Sequence, residues 1–160
     1  MFEEKLTEYQ KDPAYAAVQA EASKKLNEWI AAGLEDVQIL KECIWKLDDA
    51  VFFNSRKDRA YLLLPIQDNL EDAELDYAYV MYAALEDGKW NIYFAGLPNF
   101  VFPRERFDNK PISLDKLSEL SRAELQKGYM DKNGKVNDAF VDKPYNDDLK
   151  AKQAKFLKKK

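Results

Sequence analysis

Two runs of alternating side chains, residues 75–86 and 89–95, meet at Asp87-Gly88, and that junction constrains the chain more than any other feature. Asp-Gly accepts the positive φ that a two-residue turn between antiparallel strands requires, and such a turn fixes the register of the strands it joins. The register predicts Glu86 opposite Lys89, Leu85 opposite Trp90, Ala83 opposite Ile92 and Met81 opposite Phe94. One face then carries Tyr77, Tyr79, Met81, Ala83, Leu85, Trp90, Ile92 and Phe94. The other carries Val80, Tyr82, Ala84, Asn91, Tyr93 and Ala95, closed at the tip by the opposite charges of Glu86 and Lys89.

A second hairpin precedes it. Residues 50–54 and 59–64 flank the polar turn Ser55-Arg56-Lys57-Asp58, and both of its faces are apolar. Pro65 lacks an N–H and is expected to end the second strand or to mark a sheet edge. Residues 35–47 fit a helical and an alternating pattern about equally. The β-branched and aromatic content of Cys43-Ile44-Trp45 tips 42–47 towards strand. Residues 97–103 form an apolar, proline-bracketed run that reads as a fifth, edge strand.

Helices flank this middle. Asp12 caps a helix that opens on Pro13, carries Tyr15, Val18, Ala22, Leu26, Trp29 and Ile30 on one stripe, and closes at Gly33. Phe2, Leu6 and Tyr9 outline a shorter one over 2–10. Ser113 caps another, from Leu114 to about Met130, and 147–160 reads as a lysine-rich helix with few apolar residues. The predicted class is α+β: an antiparallel β-meander of four to five strands packed against an N-terminal helix and a C-terminal helix. A single domain over 1–145 is expected, with a lysine-rich helical tail over 146–160. A helix followed by a curved meander with the turn Asp87-Gly88-Lys89-Trp90 resembles the cone-shaped nuclear-transport-factor-2-like and cystatin-like domains over residues 13–95. The long helix after the sheet departs from that pattern, and the resemblance transfers no functional residue.

Composition narrows the chemistry. The 160 residues include no histidine and one cysteine, Cys43. Imidazole is the side chain that moves protons near neutral pH, so Ser–His, Cys–His and His-ligated metal sites are closed to this chain. A lone thiol forms neither an intramolecular disulfide nor a cysteine zinc site. Conventional enzymology is therefore disfavoured, and no cofactor is expected. No apolar run is long enough for a membrane span, and residues 1–30 lack the apolar centre of a secretory signal. The expected location is cytoplasmic, with an exported protein whose signal has been removed as the alternative.

Charge is uneven. Residues 132–160 hold nine lysines and four aspartates, a net of +5, and 1–131 a net of −9, which together give the chain's −4. An acidic body repels nucleic acid and favours basic partners. Carboxylates cluster at Asp48-Asp49, Glu71-Asp72-Glu74-Asp76 and Glu86-Asp87. Acids in connectors are ordinarily solvated.

Two surfaces stand out as candidate contact sites. The first is the tyrosine-bearing face with Tyr82, Asn91 and Tyr93, which would line a shallow concavity unless the C-terminal helix covers it. The second is the segment with Phe100, Phe102, Arg104 and Arg106, aromatic and arginine-rich as interfaces are, and able to pair with a partner strand if it forms an edge. Its bland alternative is that both phenylalanines fill the core. These features point to a non-enzymatic protein-binding module, of which a small acidic inhibitor or immunity-type partner is one version. A small-molecule pocket protein or histidine-free enzyme, with Tyr82, Tyr93 and Asp76 lining a cavity, is the alternative.

Overall fold

The computed structural model describes residues 13–94 and 99–158. The expected helix over 2–10 lies outside them. The first helix, α1 (Pro13–Ala31), buries Tyr15, Val18, Ala22, Leu26 and Trp29, the stripe that the spacing predicts. Gly33 sits at φ 77°, and the Leu34 and Gly33 N–H groups donate to the carbonyls of Trp29 and Ile30. That pair of bonds is the Schellman closure, which needs a left-handed residue where glycine stands. The ambiguous stretch resolves into both of its readings in turn. Residues Glu35–Lys41 wind as a 3-10 helix with Val37 and Leu40 buried, and β1 (Ile44–Trp45) follows as a short strand.

Six strand segments make one antiparallel sheet. Beyond β1 these are β2 (Val51–Phe53), β3 (Arg59–Gln67), β4 (Leu75–Glu86), β5 (Lys89–Tyr93) and β6 (Asn99–Pro103). β3 and β4 pair along most of their length, from Arg59–Ala84 to Ile66–Tyr77. The outer strands are interrupted: β1 and β2 share the free side of β3, and β5 and β6 share the free side of β4. The four-to-five-strand meander is thus present as four rows, with each outer row split in two.

Register at the tip is as the turn demands. Glu86 faces Lys89, Leu85 faces Trp90 and Ala83 faces Ile92, with Asp87 and Gly88 both at positive φ. The pairing stops one residue short of the expected Met81–Phe94 contact; the Phe94 N–H, which this register turns away from β4, donates to Gln153 Oε1 at 2.9 Å. Of the two expectations for Pro65, the strand end is not met: β3 runs through it to Gln67. Its carbonyl accepts from the Lys46 N–H, and a residue's N and O in a strand point the same way. The missing donor therefore faces the outer row where β1 has already ended, and the β4 side loses nothing.

Each sheet face has its own core. α1 covers the face carrying Phe53, Leu62, Leu64, Met81, Ala83 and Ile92. The other face is closed by α2 (Leu114–Tyr129), α3 (Asp138–Asp142) and α4 (Asp147–Lys158), with Leu125, Tyr129, Val141 and Leu149 packed on Phe52, Leu63, Val80 and Tyr82. Tyrosines are used here for a definite reason. The last carbonyls of a helix lack intrahelical donors. Tyr82 Oη donates to the Val141 carbonyl at 2.6 Å, and Tyr61 Oη to the Phe140 carbonyl at 2.9 Å, so two sheet hydroxyls satisfy the end of α3.

The helix α4 crosses the interruption between β5 and β6. Leu149 enters the second core, while Phe156 enters the first, 5.1 Å from the Trp29 ring and 5.5 Å from Phe94. Between them the Gln153 side chain accepts the outward N–H of Phe94. The lysines Lys150, Lys152 and Lys155 lie on the exposed side. Among the described residues no helix is long and apolar enough to cross a membrane. Because Phe156 is fully buried between two aromatic partners, Phe156→Ala should lower unfolding stability by about 3–5 kcal/mol in urea denaturation. A loss below about 1 kcal/mol would show that α4 is not built into the core.

Candidate functional site

The tyrosine face is closed, so its residues are not available as a common contact surface. Tyr82 is fully buried under α3, and Tyr93 is buried beside it. Only Asn91 is exposed. The side chain of Asn91 donates to Glu86, as do the hydroxyls of Tyr93 and Tyr145. The Tyr145 ring carries the Arg59 guanidinium 4.0 Å from its centroid and the Lys150 ammonium at 4.6 Å. This cluster fastens the hairpin tip to the start of α4. Burial alone would raise the Glu86 carboxyl, but the bonds from Tyr145, Asn91 and Tyr93 and the Lys150 charge outweigh it and hold Glu86 below the ordinary carboxylate range.

The segment around Arg104 behaves differently from the sequence expectation. Phe100 and Phe102 are half-buried on the α2 side of β6, and Arg106 is exposed. Arg104, expected beside them at the surface, is only 1% exposed. It opens a single 3-10 turn, Arg104–Phe107, and its guanidinium meets the fully buried carboxylate of Asp76. Nε and Nη2 donate to the two Asp76 oxygens at 2.9 and 2.8 Å. Nη2 also donates to the Asp68 carbonyl at 2.9 Å, and Nη1 to the carbonyls of Leu70 and Glu71 at 3.0 and 3.4 Å. All five guanidinium donors are used.

Asp76 is equally saturated. Besides the two arginine bonds it accepts the backbone N–H groups of Asp68 and Ile112, each at 2.9 Å. Asp76 thus departs from the expectation that connector acids are solvated, and so does Asp48, which is buried against Arg122 at 2.6 and 2.8 Å. In both cases an arginine distant in sequence supplies the countercharge. Sequence gave one usable signal, an acid in phase with the inward-facing residues of β4; nothing local identified its partner.

This lock organises one end of the sheet. The 68–74 connector wraps the Arg104 guanidinium with its carbonyls, so Glu71, Asp72 and Glu74 are left pointing to solvent. With Glu105 they line a groove of about 490 Å³ floored by Leu75, Pro103 and Arg104. Exposed apolar side chains stand at the same end: Leu70 at 63% exposure, Ile44 at 50% and Val101 at 48%. β1, β3, β4 and β6 are adjacent rows about 4.8 Å apart, so the whole end spans roughly 15 Å. A second groove of about 450 Å³, between Asp48 and α2, mixes Lys46 and Arg122 with its acids.

No grouping of three or more acidic or cysteine side chains among the described residues is placed to hold a metal ion. Burial pushes the Tyr61 hydroxyl up to about 12, and it raises Tyr82 and the Cys43 thiol as well. No protein-family model, curated protein or solved structure matches the chain, so its chemistry is read from this geometry alone.

Two outcomes follow. Arg104→Met leaves a buried carboxylate without its countercharge and should cost about 3–5 kcal/mol of stability by chemical denaturation; a cost under about 1 kcal/mol would mean that the lock does not hold this end. For Glu86 the folded pKa is depressed, so its contribution to stability is present above the unfolded carboxylate pKa and is lost as pH falls through the folded value. The stability difference between the wild type and Glu86→Gln should therefore be full at pH 7 and shrink below about pH 4. A difference independent of pH between 7 and 3 would rule out the charged form as the stabilising one.

Proposed function

We propose that the protein is a non-enzymatic binding module that engages a basic protein through the acidic end of its sheet, as a small acidic inhibitor or immunity-type partner would. The observation that carries this reading is the connector held by Arg104. Its carbonyls are spent inward on the guanidinium while Glu71, Asp72 and Glu74 face outward, joined by Glu105. A surface ordered before binding loses little conformational entropy when a partner arrives. Like charges gathered on one end steer an oppositely charged partner during diffusion. Leu70, on the same connector as Glu71 and Asp72, supplies exposed apolar area, which long-range attraction alone does not provide.

Two further observations support binding over chemistry. The hydroxyls of Tyr61, Tyr82 and Tyr93 are spent on helix carbonyls or on Glu86, and burial raises their pKa values, which keeps all three protonated near neutral pH. The face on which a small-molecule pocket would depend is filled by Leu125, Val141 and Leu149.

The test is affinity capture from native extract, comparing the wild type with the variant Glu71→Gln, Asp72→Asn, Glu74→Gln and Glu105→Gln. A cationic protein should be retained by the wild type, be released as salt rises from 50 to 300 mM, and bind the variant at least tenfold more weakly. Recovery of the same proteins in the same amounts by both would contradict the reading.

A further inference from the structure

We infer that β6 is a receptor edge for an extended, basic segment of the partner, which adds to the sheet as a further strand. This rests on the acidic-end reading above and specifies how that end is used. The Arg104 N–H donates to the Glu74 carbonyl at 2.9 Å, in line with the pairs Phe102–Asp76 and Phe100–Ala78. Bonded residues alternate along an antiparallel strand, so Phe100 and Phe102 turn their backbone groups to β4. Asn99 and Val101 turn theirs away from the sheet, and among the described residues those outward groups meet no partner.

The other long edge is treated differently. On β2, the Phe53 carbonyl accepts the Tyr129 hydroxyl at 2.6 Å, so α2 guards that side. At β6 the only blunting device among the described residues is Pro103, whose missing N–H falls on the outward side and leaves its carbonyl free to accept. The outward N–H and C=O groups of Asn99 and Val101 and the carbonyl of Pro103 call for extended backbone, since only a strand presents donors and acceptors at that spacing.

Side-chain chemistry follows from the surroundings. Val101 stands 48% exposed on the α1 side of the strand, and favours an apolar residue in the added strand. Beyond Pro103 the edge runs into the groove lined by Glu71, Asp72, Glu74 and Glu105, which favours lysine or arginine. A segment mixing β-branched and basic residues satisfies both.

The probe is a capped ten-residue peptide of alternating lysine and valine, titrated at 50 mM salt while amide exchange is followed on the intact protein. Binding should slow exchange of the Asn99 and Val101 amides at least tenfold. Val101→Pro deletes one outward donor and no bond to β4, and should weaken binding at least tenfold, whereas Val101→Ala should stay within threefold. Unchanged exchange at both amides with peptide bound, or no binding at millimolar peptide, would overturn strand addition. If exchange stays unchanged yet the Glu71→Gln, Asp72→Asn, Glu74→Gln variant loses the peptide, the acidic end survives and the edge does not. If that variant binds as tightly as the wild type while the two amides are protected, the acidic-end reading fails and the edge stands.

Discussion

Asp87 and Gly88 both adopt positive φ, and that two-residue reversal determines which side of the sheet each residue of β4 faces. β4 is the longest strand and is paired on both sides, so its phase propagates to β3 through Ala60–Ala83 and Leu62–Met81, and to β5 through Ala83–Ile92. A slip of one residue would move Met81 and Ala83 to the α2 side and drive Tyr82 under α1. Both faces are apolar, so both must be covered, and the helices are distributed accordingly. α1 closes one side. α2 and α3 close the other, and α4 reaches both by crossing an edge where the ladder is interrupted.

The parts that local pattern could reveal are those built from local bonds. The α1 stripe, the Gly33 closure, the Ser113 cap and the tip register all follow from residues within one turn or one hairpin of each other. What stayed hidden depends on contacts between distant residues. Arg104 lies 28 positions from Asp76, and beside Pro103, Glu105 and Arg106 it reads as a surface arginine. Its burial is caused by carbonyls of the 68–74 connector, whose arrangement has no periodicity to detect. Tyr82 and Tyr93 fit both an open concavity and a helix-covered face, because hydroxyls suit both wet surfaces and buried carbonyl caps. Only the position of α3 decides between the two. The strand end expected at Pro65 fails for a related reason: the cost of a proline depends on which neighbour its nitrogen faces.

The proposed function rests on a division of labour between the two ends of β4. At the hairpin tip, Glu86 spends its charge on Asn91, Tyr93 and Tyr145 and serves to hold α4. At the opposite end, Asp76 performs that internal duty, together with Arg104, which frees the neighbouring carboxylates to face solvent. A buried ion pair contributes little net stability over an apolar replacement, because desolvation of both charges offsets their attraction. Its value lies in directionality: five donors and four acceptor positions tie the 68–74 connector, Ile112 and β4 to one another.

The claim that Arg104 shapes the acidic end is tested most directly by amide exchange in Arg104→Lys, which keeps the charge but offers three donors in place of a rigid planar five. The account requires exchange at Asp68, Leu70 and Ile112 to accelerate at least tenfold, with the β3–β4 amides around Leu62 and Met81 unchanged. Wild-type exchange at all three positions in that variant would contradict it.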